Sequence, residues 1–140
     1  MRANGSQSGF TLIELVVVIT ILGILAAFAI PRFASLEVDA RTAARDALGG
    51  SVRSGAALSH ALWLAQGQPA TVTMEGQTIT MTNGYPNLGT INLTIGDLTG
   101  FTYTAGTGVF LKTGGAATCT ITYAAAPANG APTITNGGVC

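Results

Sequence analysis

Residues 10–30, FTLIELVVVITILGILAAFAI, form an apolar run that carries a single charge, Glu14. As a helix such a run is about 30 Å long, enough to cross the hydrocarbon core of a bilayer. A cleaved secretory signal and a plain membrane anchor are the ordinary readings of it. A secretory signal carries its positive charge beside the apolar run and ends in a small-residue cleavage site. Here the leader, MRANGSQSG, has one Arg and no acid, ends in Gly9, and is followed by an acid at the fifth position of the run. An uncompensated carboxylate at membrane depth costs about 2–3 kcal/mol on insertion scales. Glu14 is therefore a candidate functional group, and it needs a partner.

The helical pattern does not stop at Ile30. Residues 32–65 are rich in Ala, Leu and Arg, contain no Pro, and are followed by Gly67-Gln68-Pro69, which ends the helix. Two rows recur at helical spacing and together predict a broad apolar face: Phe33, Leu36, Ala40, Ala43 and Ala47, and Ala44, Leu48, Val52, Ala56, Ser59 and Leu62. One helix from Phe10 to Gln66 would be about 85 Å long. The remaining residues, 69–140, cannot cover it, so its first half must meet lipid or other chains. Gly23 and Pro31 interrupt helix propensity within it, Gly by about 1 kcal/mol relative to Ala and Pro by removing a donor and crowding a carbonyl. The plain consequence is a mild kink; the functional one is a segment able to melt.

Beyond Pro69 the composition turns to Thr, Gly and β-branched residues. Residues 70–74 and 77–81, separated by Glu75-Gly76, read as a hairpin in which Val72 opposes Ile79 and Ala70 opposes Met81 on one face. Thr73 then opposes Thr78, and Thr71 opposes Thr80, on the other. Further strands are expected at 90–95, 101–104, 109–112, 118–123 and 133–135, with turns at 83–87 and 96–100. The expected fold class is α+β: a long N-terminal helix, its apolar first half projecting and its second half packed on a small antiparallel sheet of about four strands. Two cysteines, Cys119 and Cys140, lack zinc-site spacing and have no His beside them. They read as one disulfide or as two separate buried thiols. An exported chain favours the disulfide, which would close a C-terminal loop of about 20 residues with roughly 3 kcal/mol of stabilisation.

Gly9-Phe10-Thr11-Leu12-Ile13-Glu14, continued through Leu15–Ile19, Gly23–Ala27 and Ile30-Pro31, resembles the prepilin peptidase motif of type IV pilins and type II secretion pseudopilins. The resemblance implies cleavage after Gly9 by an integral-membrane peptidase that also methylates the new amine of Phe10. It implies a structural subunit polymerising through its N-terminal helix into an extracellular pilus that serves adhesion or motility. Its expected partners are identical subunits, the peptidase, the inner-membrane assembly machinery and, before assembly, membrane lipid. The expected location is the inner membrane, with the globular part on the periplasmic side, and then the pilus. In that setting Glu14 would meet the Phe10 amine of its own or a neighbouring chain and set axial register, because a misplaced subunit would leave its charge unpaired. The family's filaments favour a melted Gly23–Pro31 segment in the assembled state only. Pro31-Arg32-Phe33, Asp39-Ala40-Arg41 and the segment from Cys119 to Cys140 look most like mannose-sensitive haemagglutinin-type pilins. The implied organisation is a leader at 1–9, a membrane and filament-core helix half at 10–31, an amphipathic half at 32–67 and a β region at 68–140.

Other chemistry finds little support. Only 9% of residues are Asp, Glu, Lys or Arg, and the six basic and six acidic side chains balance. No field draws nucleic acid or an acidic ligand. Beyond Arg53 only Glu75, Asp97 and Lys112 are charged. So sparse a surface is weakly soluble alone and tolerable among identical neighbours. His60 is the lone histidine and reads as a packing or surface residue, with Trp63 one turn on as a plug between helix and sheet. Glu75 and Asp97 read as turn residues. No catalytic group, metal set or cofactor is expected. The competing readings are a pseudopilin, which a calcium site in place of the disulfide would favour, and an anchored binding module that never polymerises, to which Glu14 would be of no use.

Overall fold

A computed structural model describes residues 9–140. The expected leader lies outside them except for Gly9. By its contacts the chain forms two units, residues 1–37 and 38–140. One helix, α1 (Leu12–Ala65), contributes to both.

Within the first unit the described residues from Leu12 on are helical and pass through Gly23 and Pro31 without a break. Their large apolar side chains are exposed, Leu12 at 80% and Phe28 at 74%. This stretch is long and apolar enough to cross a membrane.

The second unit contains the C-terminal part of α1 and seven strands. The helix ends in a Schellman motif. The Gly67 amide donates to Leu64 O, the Gln68 amide donates to Trp63 O at 2.8 Å, and Gly67 takes a positive φ of 78°. Strands β1 (Thr71–Met74) and β2 (Gln77–Thr82) form the expected hairpin with Val72 opposite Ile79, Thr73 opposite Thr78 and Thr71 opposite Thr80. Glu75 and Gly76 both have positive φ, the backbone of a type I′ turn that matches strand twist. Asn83-Gly84 repeats the device, so β3 (Tyr85–Pro86) returns along β2 where only a turn was expected.

The expected strand at 90–95 is instead a short 3-10 helix, Ile91–Thr94. The reason lies in side chains. Thr90 Oγ1 accepts from the Thr80 amide and donates to the Thr80 carbonyl, both at 3.1 Å, so a hydroxyl takes the place of a strand's backbone. Ile91, fully buried, anchors the segment in the core, and burial overrides its β-branched preference. The β region consequently divides into two antiparallel sheets, β1-β2-β3 and β4-β5-β6-β7, rather than one. The second comprises β4 (Phe101–Thr104), β5 (Val109–Lys112), β6 (Thr120–Ala124) and β7 (Thr133–Asn136).

The core sits between α1 and the inner faces of the two sheets. Leu48, Val52 and Ala56 pack with Ile91, Phe110, Ile121 and Tyr123. Nearer the helix end, Leu62 and Trp63 pack on Val72, Ile79 and Met81. Of the two predicted helix rows only the second is covered. Ala40, Ala43 and Ala47 face outward, because the sheets meet a single stripe of the helix.

Candidate functional site

The sequence placed its functional candidates at the helix start. There Gly9, Phe10 and Thr11 are non-helical, and Phe10 is 91% exposed. Thr11 is the N-cap residue, its carbonyl accepting from the Leu15 amide. The Thr11 amide donates to Glu14 Oε2 at 2.9 Å and its hydroxyl donates to the same oxygen at 2.8 Å, while the Glu14 amide donates to Thr11 Oγ1 at 3.3 Å. This is a capping box, in which two otherwise orphaned amides are satisfied reciprocally. Thr11-Leu12-Ile13-Glu14 ahead of an apolar run is its sequence signature, and Thr11 is the residue that sequence reasoning passed over. The box has two consequences. The uncut chain already holds the Glu14 carboxylate on its own backbone, without an amine. It also stops the helix one residue after Phe10, which leaves the Gly9–Phe10 peptide bond outside the helix.

At the other end of the chain Cys119 and Cys140 are joined by a disulfide, with Cα atoms 4.5 Å apart and a sequence separation of 21. The loop they close is docked on α1 by groups the sequence reading left out. Arg45, 8% exposed, donates through Nη1 to Gly137 O at 2.8 Å and Gly138 O at 2.6 Å, and its guanidinium pairs with Asp46 at 2.9 Å. Asp46 in turn accepts from Asn136 Nδ2 at 2.7 Å. The signal was present: Arg45 precedes Leu48 and Val52 on the stripe that becomes buried, and a cation on such a stripe requires acceptors. Gly137 lies so close to Thr118 and Thr120 that a Cβ there would collide with them.

His60 and Trp63 hold the β2–β3 hairpin against the helix. The His60 ring stacks on Tyr85 with centroids 4.2 Å apart, and its Nδ1 donates to Gly84 O at 2.7 Å. A Cβ on Gly84 would stand 2.8 Å from the Trp63 ring. Asp97 accepts from the Thr99 amide at 2.7 Å, and hydrogen bonding from the Thr99 side chain and then its backbone holds the carboxyl below the usual range. Among the described residues no three His, Cys, Asp or Glu side chains gather where they could share a metal ion.

The family described as the prokaryotic N-terminal methylation motif matches residues 4–30. The chain is 51% identical over 59 residues to the type IV narrow pilus major component PilA5 of Thermus thermophilus, a match covering 42% of this chain and 47% of the relative. The chain thus spans about half the length of the curated relative it matches. No solved structure matches it. The motif and the relative support a type IV pilin, and the α+β architecture with its C-terminal disulfide fits the fold of one. The narrower likeness to mannose-sensitive haemagglutinin-type pilins rests on its quoted residues alone.

Proposed function

We propose that this chain is the precursor of a type IV pilin: a structural subunit cut after Gly9, methylated on Phe10, and polymerised through its N-terminal helix into an extracellular pilus. The observation that carries the reading is the methylation motif at residues 4–30 leading into a helix whose large apolar side chains from Leu12 to Leu36 are exposed. In water that exposure is untenable; in lipid before assembly and among sister helices afterwards it is satisfied. A non-helical Gly9–Phe10 bond suits a peptidase, which needs extended backbone, and a residue without a side chain leaves room beside the cut. The precursor would sit in the inner membrane with residues 38–140 on the periplasmic side, an oxidising setting in which the disulfide persists. The disulfide and the pilus-named relative favour a pilin over a pseudopilin. Adhesion or motility would then be the filament's work, and the chain itself would supply no catalysis.

Glu14 has two successive roles in this proposal. In the precursor the capping box holds it. After the cut, Phe10 bears an ammonium group four residues away, and the carboxylate can pair with that amine or with a neighbour's. The test is mass spectrometry of sheared surface filaments. The expected result is a chain that begins at N-methylated Phe10 and lacks residues 1–9. Filaments without this chain, or a chain that keeps its leader, would sink the reading.

A further inference from the structure

An asparagine followed by glycine is chemically exposed to its own backbone, because a residue without a Cβ lets the next amide nitrogen swing onto the side-chain carbon. The pair stands at residues 83–84, 129–130 and 136–137 of the described chain, and the fold treats these places differently. Asn83 Nδ2 donates to Ala126 O at 2.8 Å, and Gly84 is buried against the Trp63 ring. Asn136 Nδ2 donates to Asp46 Oδ1 at 2.7 Å, and the Gly137 amide that would have to move donates to Thr120 O at 2.7 Å. Asn129 has no such restraint. Its side chain is exposed and has no hydrogen-bond partner among the described residues. The Gly130 amide has one bond, to Pro127 O at 3.1 Å, inside a surface turn where Asn129 takes a positive φ of 61°. Such a turn opens at little cost, whereas the other two places open only with the packing around them.

We propose that Asn129 is a site of self-modification, converting in water and without an enzyme to aspartate and isoaspartate. The Gly130 amide gives its proton to solvent base, and its nitrogen attacks Asn129 Cγ. A C–N bond forms, the Cγ–Nδ2 bond breaks, and Nδ2 leaves as ammonia with a proton from water, closing a succinimide ring. Water then opens the ring. Attack at Cγ breaks the new bond and gives aspartate. Attack at the backbone carbonyl breaks the original peptide bond and gives isoaspartate, whose chain runs through Cγ. The net change exchanges one water for one ammonia, with nothing oxidised or reduced. The product matters because residues 113–140 otherwise hold no Asp, Glu, Lys or Arg. A carboxylate at position 129 gives the disulfide-closed loop its first charge and takes a chain of formal net charge zero to a negative one. Converted copies repel one another, so their surface charge records their age. The conversion belongs to the second unit and stands apart from the filament reading.

The test incubates the full chain, purified in detergent with its disulfide intact, at mildly alkaline pH, beside the same chain reduced and unfolded. Samples taken over time are cut with trypsin after Arg53 and Lys112, and the peptides are sequenced by mass spectrometry. In the folded protein Asn129 should convert roughly tenfold or more faster than Asn83 or Asn136, because only its turn opens readily. The rate should rise with pH, since the attacking nitrogen must lose its proton. In the unfolded chain the three positions should convert at similar rates. Isoelectric focusing should show an acidic form growing at the same pace. Asn129→Gln, an exposed change the fold tolerates, should not produce that form, because the longer side chain closes the ring poorly. A folded protein in which Asn129 stays intact while the unfolded chain converts would overturn the proposal. Equal rates at the three positions of the folded protein, or an acidic form undiminished in Asn129→Gln, would overturn it as well.

Discussion

Thr11 and Glu14 face each other across one helical turn, and their two backbone-to-side-chain bonds separate two jobs that a single acid could do. A cap needs an acceptor at position 14; a charge partner for the cleaved amine needs a negative one. Glu14→Gln keeps a side-chain oxygen for the Thr11 amide but not the charge, whereas Glu14→Ala keeps neither. If the charge governs assembly, both variants should be cut normally and yield few filaments. A Gln form that assembles like wild type would reduce Glu14 to a cap. Thr11 allows the complementary experiment. Thr11→Ala should weaken the helix start by about 1 kcal/mol, and Thr11→Ser should restore it. Processing of the precursor, followed by the shift to the mature size, should slow in the first and recover in the second. Arg45 belongs to the same scale. Arg45→Ala would leave the Gly137 and Gly138 carbonyls without their donor, and Asp46 without its ion pair. A loss of about 2–3 kcal/mol is expected, because hydrogen bonds from a charged donor are the strong ones. It would read out as a lower denaturation midpoint of the detergent-solubilised protein, with cleavage after Gly9 untouched.

Elements were legible in the sequence wherever a local rule decided them. Glu75-Gly76 fixed the first hairpin's register, since only one pairing puts Val72 opposite Ile79 and leaves the Thr pairs outside. Phe101–Thr104 and Val109–Lys112 stand at their expected bounds. Elements decided by tertiary contacts were not legible. Nothing local to residues 90–95 announces that the Thr90 hydroxyl will satisfy Thr80 and that Ile91 will be driven inward as a 3-10 turn. For the same reason one expected sheet became two. At the candidate site the motif at Gly9–Glu14 was plain, but the docking of the C-terminal loop by Arg45 was not, because its acceptors are carbonyls more than 90 residues away. That loop is also where the disulfide acts. Its β7 strand is short and its backbone is otherwise held by a handful of bonds, so the loop depends on covalent closure. Replacing Cys119 and Cys140 together by Ser should cost about 3 kcal/mol. Limited proteolysis should then cut between residues 125 and 139 first, while the β1–β2 hairpin stays resistant. Equal resistance in the variant and the wild type would show that Arg45 and β7 suffice.

For the folded second unit as a whole, pH dependence is asymmetric, and the asymmetry follows from which ionisable groups the fold engages. On the acid side Asp97 has its carboxyl held low by hydrogen bonding from the Thr99 side chain and backbone. A depressed carboxyl stabilises the fold above its unfolded pKa, and that contribution disappears as pH falls through the folded value. Asp97 lies in the open, so solvent screening leaves the effect small. On the alkaline side stand two tyrosines. Tyr123 is fully buried and donates its hydroxyl proton to Pro86 O at 2.7 Å, and Tyr103 donates to Leu88 O. Burial pushes both phenols above their ordinary value near 10, Tyr123 further than Tyr103. A raised phenol pKa means that the folded state keeps protons that the unfolded chain has begun to lose. Stability is therefore full below about pH 10 and falls as pH rises beyond it. The thermal midpoint of the second unit, followed by near-ultraviolet circular dichroism in detergent, should be nearly flat from about pH 5 to 9 and drop steeply above about 10. Tyr123→Phe separates the causes. It should lower the midpoint at neutral pH, since the Pro86 carbonyl loses its donor at a cost of about 1 kcal/mol. It should also flatten the alkaline drop, because the more strongly shifted phenol is gone. A variant whose alkaline drop is as steep as that of wild type would assign the transition to Tyr103 or to a group outside the core.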